Sequence, residues 1–342
     1  TSGLIVSGTS LATLIALKVA RDKTFTYLSR PRGISERLVA YAAEGTHSCV
    51  RQALDILGFG TEALRIVPVD ENMQMNVPTL NAMIDNDNEA GLRPFAVIGT
   101  AGGVNTGAVD NLDEIADTCA RRGVWFHIDG AFGASAMIVP ELAAMMTGIE
   151  RADSIAFDFH KWWHVNYDAG CVLIRDREAH LKSWSDRPDY LAAGEALAGG
   201  APWPTDLGPE LSRGFRALKV WAHLLIHGSA PLAEGIAHNV RQAKLLAEQI
   251  SEIPELELAF EPRMQIVCFR VKVEGRDLDA LNAEIVAEVQ RSGIAVTSTT
   301  KIEGQLMIRV NITNHRTKDE DLDVLLDAIL SAAEKRLARS DS

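Results

Sequence analysis

Two residues carry the chemistry that this sequence advertises. Lys161 stands in Phe159-His160-Lys161, followed by Trp162-Trp163, and Asp129 lies upstream in Phe126-His127-Ile128-Asp129-Gly130-Ala131. A lysine amine can bond a carbonyl carbon as a Schiff base, and burial or nearby cations lower its pKa toward the range where it is nucleophilic. An aspartate closing an apolar run can face a pyridinium nitrogen and keep it protonated, so that the ring acts as an electron sink. Taken singly, a His-Lys pair is ordinary on a solvated surface, and an Asp after a strand is ordinary as a turn or helix-start residue. Phe157, Phe159, Trp162 and Trp163 crowd Lys161 with apolar bulk, which is not the setting of an exposed lysine. The two residues together point to a pyridoxal phosphate (PLP) site.

Three further segments bear on it. Ser7-Gly8-Thr9-Ser10 opens a helix whose first apolar turns are Leu11, Leu14 and Ile15. It reads either as a plain serine N-cap or as a phosphate cradle of backbone N–H groups and hydroxyls. Thr46-His47-Ser48 also precedes a helix, so His47 is either a neighbour of the cap or a ring laid over a flat cofactor. Gly99-Thr100-Ala101-Gly102-Gly103-Val104-Asn105-Thr106-Gly107 ends a strand with small residues that let a ligand approach the backbone. That loop is not GxGxxG and has no acidic residue at dinucleotide spacing, so a Rossmann site is a weak reading.

The elements that must position these residues alternate from residue 1 to about 185. Helices are expected at 10–21, 47–58, 77–86, 111–121 and 176–184, and short buried strands at 38–41, 64–67, 95–98, 124–128, 154–157 and 171–174. Such alternation predicts an α/β domain, a sheet covered by helices on both faces. Residues 186–210 lose all periodicity among Pro188, Gly194, Gly199-Gly200, Pro202, Pro204 and Pro209, which reads as a long functional loop. A helix follows with Phe215, Leu218, Ala222 and Leu225 on one stripe and Gly228 at its end, then another over 230–252. The remainder reads as strands at 256–260, 265–273, 294–299 and 305–312 with helices at 277–292 and 317–337, a small α+β domain. The expected division is a large domain of 1–228 and a small C-terminal domain of 229–342.

Composition narrows the function. At 342 residues the chain can bury a large core, and 47% apolar with 23% charged residues is ordinary for a soluble globular protein. The formal charge of −12 argues against a nucleic-acid surface. The sequence lacks an apolar run long enough to span a bilayer, so no membrane partner is expected. Cys49, Cys119, Cys171 and Cys268 are widely spaced without CxxC or zinc spacing, and read as reduced core thiols in a cytoplasmic protein with no metal site. Thr1-Ser2-Gly3 looks like neither a signal peptide nor a natural start, so a preceding segment is expected.

In order along the chain, these segments resemble the group II PLP-dependent amino-acid decarboxylases, and most of all their aromatic-L-amino-acid branch. The resemblance runs through Gly8-Thr9-Ser10, Ala42-Ala43-Glu44-Gly45-Thr46-His47-Ser48, Asn105-Thr106-Gly107-Ala108-Val109-Asp110 and His127-Ile128-Asp129-Gly130-Ala131-Phe132. It continues through His160-Lys161-Trp162, Asn166-Tyr167-Asp168, the stretch Gly208-Pro209-Glu210-Leu211-Ser212-Arg213-Gly214-Phe215-Arg216-Ala217-Leu218-Lys219, and Arg309-Val310-Asn311-Ile312-Thr313-Asn314. It implies a fold type I PLP enzyme, with a mostly parallel seven-stranded-type sheet flanked by helices, working as a homodimer with shared active sites. Lys161 would be the Schiff-base lysine, Asp129 would bind the pyridine nitrogen, Ala131 would pack on one ring face and His47 on the other. Thr9 and Ser10 would hold the phosphate with His160 beside it, and Gly103 falls where relatives often carry a threonine near the cofactor. The implied reaction is decarboxylation of an L-amino acid, aromatic by the branch, to an amine and CO2.

Two departures leave alternatives open. The branch carries a proton-donating tyrosine in the loop before the Ser-Arg-x-Phe-Arg helix; here the loop's tyrosine is Tyr190, and the expected place around 199–203 reads Gly-Gly-Ala-Pro-Trp. Protonation by His47 or water, or oxidative deamination to an aldehyde, then becomes an alternative, as does an acidic or diamino substrate. The family's N-terminal segment, which completes the partner's substrate pocket, is missing from this chain, so an idle PLP-binding dimer is the non-enzyme alternative. Lys161→Ala should abolish the visible absorbance of the lysine–cofactor bond; a retained band that borohydride still traps would defeat the assignment of this lysine.

Overall fold

A computed structural model describes residues 1–186 and 203–340. Tyr190 and the Gly199–Pro202 part of the expected tyrosine position lie outside the described residues, as does most of the expected loop. The described chain forms two compact units, residues 1–104 with 108–229, and residues 105–107 with 230–342.

The first unit contains β1 (Ser2–Val6), α1 (Thr9–Thr24), α2 (Ser29–Arg32), β2 (Leu38–Ala43), α3 (Ser48–Ile56), β3 (Leu64–Val67), α4 (Val77–Glu89), β4 (Arg93–Thr100) and α5 (Leu112–Arg122). It continues with β5 (Trp125–Asp129), α6 (Pro140–Ala143), β6 (Ser154–Asp158), β7 (Gly170–Ile174), α7 (Arg177–Trp184) and α8 (Arg216–His227). Seven strands form one sheet in the order β1-β7-β6-β5-β4-β2-β3. Pairings from β3 across to β6 are parallel, while β7 runs antiparallel to both β6 and β1. The sequence expectation of a mostly parallel seven-stranded sheet holds. β2 and β5 are buried at every residue, as strands covered on both faces must be.

Why these segments take these shapes is readable locally. α4 starts at Asn76, whose side chain accepts the Thr79 N–H, and has a proline in its first turn. α5 starts at Asn111, carries Asp113 and Glu114 in its first turn and Arg121 and Arg122 in its last, and stops at Gly123 in the left-handed region. α1 is different: its N-cap is Gly8, and no side chain of its own caps it. It lies across the sheet with Ile15, Leu17 and Val19 fully buried against Ala156, Val172, Ile174 and Ile98. Each such aliphatic side chain contributes about 1.5–3 kcal/mol as an upper estimate.

β1 was not foreseen from the sequence. The antiparallel pairing of β1 with β7 brings both strand ends together, and an ideal Cβ on Gly170 would stand 2.4 Å from the Gly8 Cα. Only glycine fits at such a backbone crossing.

The second unit holds α9 (Ser229–Glu252), β8 (Leu256–Leu258), β9 (Ile266–Val271), α10 (Leu278–Ser292), β10 (Ser298–Ile302), β11 (Gln305–Asn311) and α11 (Asp319–Ser340). Its four-stranded antiparallel sheet has the order β10-β11-β9-β8. Leu246, Ile250, Phe269, Ile285, Ile308 and Ile329 form the middle of its core. The strand expected at 294–299 is displaced to Ser298–Ile302, because α10 ends at left-handed Gly293, and the Gln290 side chain ties back to the Thr297 carbonyl.

The apolar stripe expected on the helix after the loop is present on α8 but is not buried within the chain. Leu218 and Leu225 are exposed, as are Phe215, Trp221 and Ile226, while Val220 faces inward onto Val165 and Ala169.

Gly170→Ala should lower the urea midpoint, at an unchanged slope, by about 1–3 kcal/mol of stability, because backbone must move to admit the methyl group. Gly235→Ala in α9, where a Cβ meets nothing within 4 Å, should instead gain about 0.5–1 kcal/mol. Equal effects at both positions would refute the crowding assigned to the Gly8–Gly170 crossing.

Candidate active site

The parallel register places the strand ends level. Thr100 at the end of β4 pairs with Asp129 at the end of β5, and Asp129 pairs with Ala156, two residues before the end of β6. Backbone bonds continue the ladder past the strands: Ala101 N–H donates to the Asp129 carbonyl at 2.8 Å, Gly130 N–H to the Ala156 carbonyl at 2.9 Å, and Asp158 N–H to the Ala131 carbonyl at 3.4 Å. Ligands of α/β sheets bind outside the carboxyl ends of parallel strands, and here that edge carries Asp129 and Asp158, with Lys161 one turn further on. β1 has the same sense as β6 and delivers Gly8, Thr9 and Ser10 to the same edge.

Asp129 is 6% exposed. One carboxyl oxygen accepts the Ala131 N–H at 3.2 Å. Burial pushes this carboxyl above its ordinary range, against the pull of the Ala131 N–H and the positive fields of Lys161 and His47. His127, two residues earlier on the same strand, is fully buried, and burial drives its pKa down to about 3, so it adds a neutral wall and no charge.

Lys161 projects beneath an aromatic wall. Its Nζ lies 5.0 Å from the Phe132 ring centroid, and Phe132 meets the fully buried Trp162 edge-on at 6.5 Å. The crowding read from the sequence is real: Phe157, Phe159 and Trp163 stack edge to face in succession, at 5.0 and 5.4 Å.

Lys161 Nζ also lies 3.1 Å from Asp158 Oδ2, a residue that sequence reasoning missed. Asp158 is 2% exposed, and its Oδ1 accepts the Thr9 N–H at 2.8 Å. It therefore caps α1 from 149 residues away, in place of the side-chain cap that Gly8 cannot supply. The available signal was the inward alternation Ser154, Ala156, Asp158, which ends a strand on a carboxylate three residues before the lysine.

His160 completes this corner. Its Nδ1 accepts the Ala169 N–H at 2.9 Å, its Nε2 lies 3.7 Å from Asp158 Oδ2, and the exposed Tyr167 ring lies 4.2 Å from it. Tyr167 adjoins Asp168, whose carboxylate is bonded by Arg216 at 2.8 Å and by Lys219 at 3.4 Å, and Arg216 also grips Glu210. Arg216 holds the Asp168 carboxyl down at about 2. This cluster docks the first turn of α8 beside the His160 loop; the sequence motifs contained its members without revealing that they meet.

The remaining expected residues are placed as follows. His47 is itself the N-cap of α3, and not only a neighbour of the cap; it is exposed, with Nδ1 accepting the Cys49 N–H at 3.2 Å. Thr9 is buried, Ser10 exposed. Gly103 uses its N–H within its own loop, donating to the Ala108 carbonyl at 2.8 Å. Among the described residues no cluster of side chains suited to a metal ion occurs.

The donor set fits PLP. The Thr9 and Thr46 hydroxyls are buried without a partner, an arrangement that a ligand with oxygen acceptors resolves. A buried carboxyl at one end, an amine in the middle and a helix N-terminus at the other match a protonated ring nitrogen, an aldehyde and a phosphate. His160 is made neutral by its surroundings: burial lowers its pKa, Asp158 opposes that and Lys161 reinforces it. With Nδ1 accepting from Ala169, its proton belongs on Nε2. Nitrogen-15 spectra at pH 7 should show a neutral His160 with a pyridine-type Nδ1; a protonated ring or the opposite tautomer would contradict this geometry.

Comparison with known proteins agrees with this arrangement. The pyridoxal-dependent decarboxylase conserved domain matches residues 1–272. The chain is 36% identical to an aromatic-L-amino-acid decarboxylase of Bacillus atrophaeus over 97% of this chain and 69% of the relative's length. It is 31% identical to a phenylacetaldehyde synthase of Arabidopsis thaliana over 93% and 66% of the two chains. Its fold superposes on the crystal structure of Oryza sativa TDC with PLP and tryptamine with a TM-score of 0.92 at 28% identity, covering 98% of this chain and 70% of that one. The chain thus spans about two thirds of the length of these relatives. With the matched domain covering the whole of the strand-end edge that carries Asp129, Asp158 and Lys161, the chain belongs to the pyridoxal-dependent decarboxylases, fold type I enzymes that decarboxylate amino acids with PLP.

Proposed function

We propose that this protein removes the carboxylate of an aromatic L-amino acid as CO2 and releases the corresponding amine. The observation that carries the reading is the buried Asp129 at the carboxyl end of β5 beside Lys161 under the Phe132 ring. The relatives favour an aromatic substrate: decarboxylases of this class and an aromatic-aldehyde synthase stand at similar distance.

In this reading Lys161 would hold PLP through its amine, at the carbon that the substrate's amine must also reach. When bound, PLP supplies a ring that accepts the electron pair left by the departing CO2. Asp129 keeps the ring nitrogen protonated, a fixed charge needing no reorganisation during the reaction. Ala131 closes one ring face. The imidazole of His47 would cover the other and, with Nδ1 occupied by the Cys49 N–H, would have its Nε2 edge left for the substrate. Thr9 and Ser10 would hold the phosphate at the start of α1, with His160 alongside, and Gly103 would leave open the place where a threonine would reach the cofactor. The first structural unit is then the cofactor-binding domain and the second the small domain.

A homodimer is part of this proposal. Its support is the α8 face of Leu218, Trp221, Leu225 and Ile226, exposed in the single chain and too apolar for a surface left in water. A reducing, cytoplasmic setting is supported by four buried free thiols among the described residues, and no helix of those residues is long and apolar enough to cross a membrane.

The deciding experiment is mass spectrometry of products from the full-length protein with PLP in air, over aromatic, acidic and basic L-amino acids. Amine and CO2 from an aromatic substrate are the expected outcome. Aldehyde with ammonia would move the protein to the aldehyde-forming reading, which the absence of tyrosine at 199–203 favours. Amine from acidic or diamino acids alone would overturn the aromatic assignment, and turnover of none would leave an idle PLP-binding protein.

A further inference from the structure

Three groups beside the proposed phosphate subsite already face one carboxylate. Asp158 takes the Thr9 N–H at 2.8 Å, lies 3.1 Å from Lys161 Nζ, and has His160 Nε2 at 3.7 Å. It is almost fully buried, with the unpartnered, buried hydroxyl of Thr9 on the residue it caps. A carboxylate so placed does for the ligand-free protein what a bound phosphate does for the loaded one. It satisfies the first orphan N–H of α1, complements the positive end of the helix and neutralises the lysine.

We propose that Asp158 is an internal anion that occupies the phosphate subsite of the cofactor-free protein and competes there with the cofactor's phosphate. The inference rests on the cofactor placement proposed above and adds a residue to it. Two anions within a few ångströms in a buried site repel strongly. The phosphate must therefore take the α1 N-terminus from Asp158, and Asp158 must release Lys161 as it does so. The residue acts by positioning: it holds the amine and the helix start in register until the phosphate arrives. Loading is coupled to freeing of the lysine, and aldehydes without a phosphate gain no such release.

The test compares PLP with pyridoxal, the same aldehyde without the phosphate, on the wild-type apoprotein and on Asp158→Asn and Asp158→Ser. Asn and Ser both cap helices well, so each variant keeps an acceptor for the Thr9 N–H while removing the charge. With either compound the Lys161 nitrogen bonds the aldehyde carbon as the aldehyde oxygen leaves as water. Loss of the lysine's counter-ion affects both compounds alike, whereas relief of the phosphate conflict affects PLP alone. Dissociation constants are read from the absorbance of the lysine bond, and its position at Lys161 is verified by borohydride trapping and peptide mass.

The ratio of the pyridoxal to the PLP dissociation constant should rise about tenfold in both variants. Inorganic phosphate should also block pyridoxal at about tenfold lower concentration than in the wild type. An unchanged or smaller ratio, with PLP still trapped on Lys161 in the wild type, would overturn the competition and leave the cofactor reading standing. No PLP on Lys161 in any of the three proteins would overturn both. Two chemically different caps guard against one variant failing to fold.

Discussion

The parallel register of β4, β5 and β6 is the constraint on which the rest of the site depends. Thr100, Asp129 and Ala156 stand level across three strands, and the backbone bonds beyond them extend the ladder to Ala101, Gly130 and Ala131. Side chains alternate between faces along a strand, so a slip of one residue would turn both Asp129 and Asp158 to the opposite side of the sheet. The register is held by burial: β5 has no exposed residue, and Ala96, Ile98, Phe126 and Ile128 leave almost no room for alternative pairings. Precision at the site is thus inherited from the core and not from the loops that carry His47 and Lys161.

A second requirement is that a helix start be brought to the same edge without a cap of its own. Gly170 is needed for the crossing over the Gly8 backbone, and Gly8, the residue before the helix, has no side chain with which to satisfy the first N–H groups. Asp158 meets the second demand, since its strand is neighbour to β7 and its carboxyl reaches across to Thr9.

Much of this was legible in the sequence because the signals were local. Short apolar runs such as Val124–Ile128 and Ser154–Phe157 fell on β5 and β6, and Asn76 and Asn111 marked helix starts with their side chains. Lys161 and Asp129 stood out because aromatic crowding and strand-end placement are properties of neighbours in the chain. What escaped was non-local. β1 is five residues whose identity as a strand comes from β7, and β10 is set by its pairing with β11 more than by the apolar Ile294-Ala295-Val296 before it, of which Val296 is 91% exposed. Asp158 escaped for the same reason: nothing near it in sequence reveals that its partner is the backbone of Thr9. The α8 stripe was read correctly as a pattern, yet a pattern does not say what covers it.

That uncovered stripe has a thermodynamic consequence of its own. Phe215, Leu218, Trp221, Leu225 and Ile226 hold apolar area in water at a cost of about 25 cal/mol per Å2. Whatever screens the face acts on folding as any ligand of the native state does, by mass action. If the proposed homodimer covers this face, folding free energy is not a constant of the sequence but a function of chain concentration, and dilution would act on it as a denaturant.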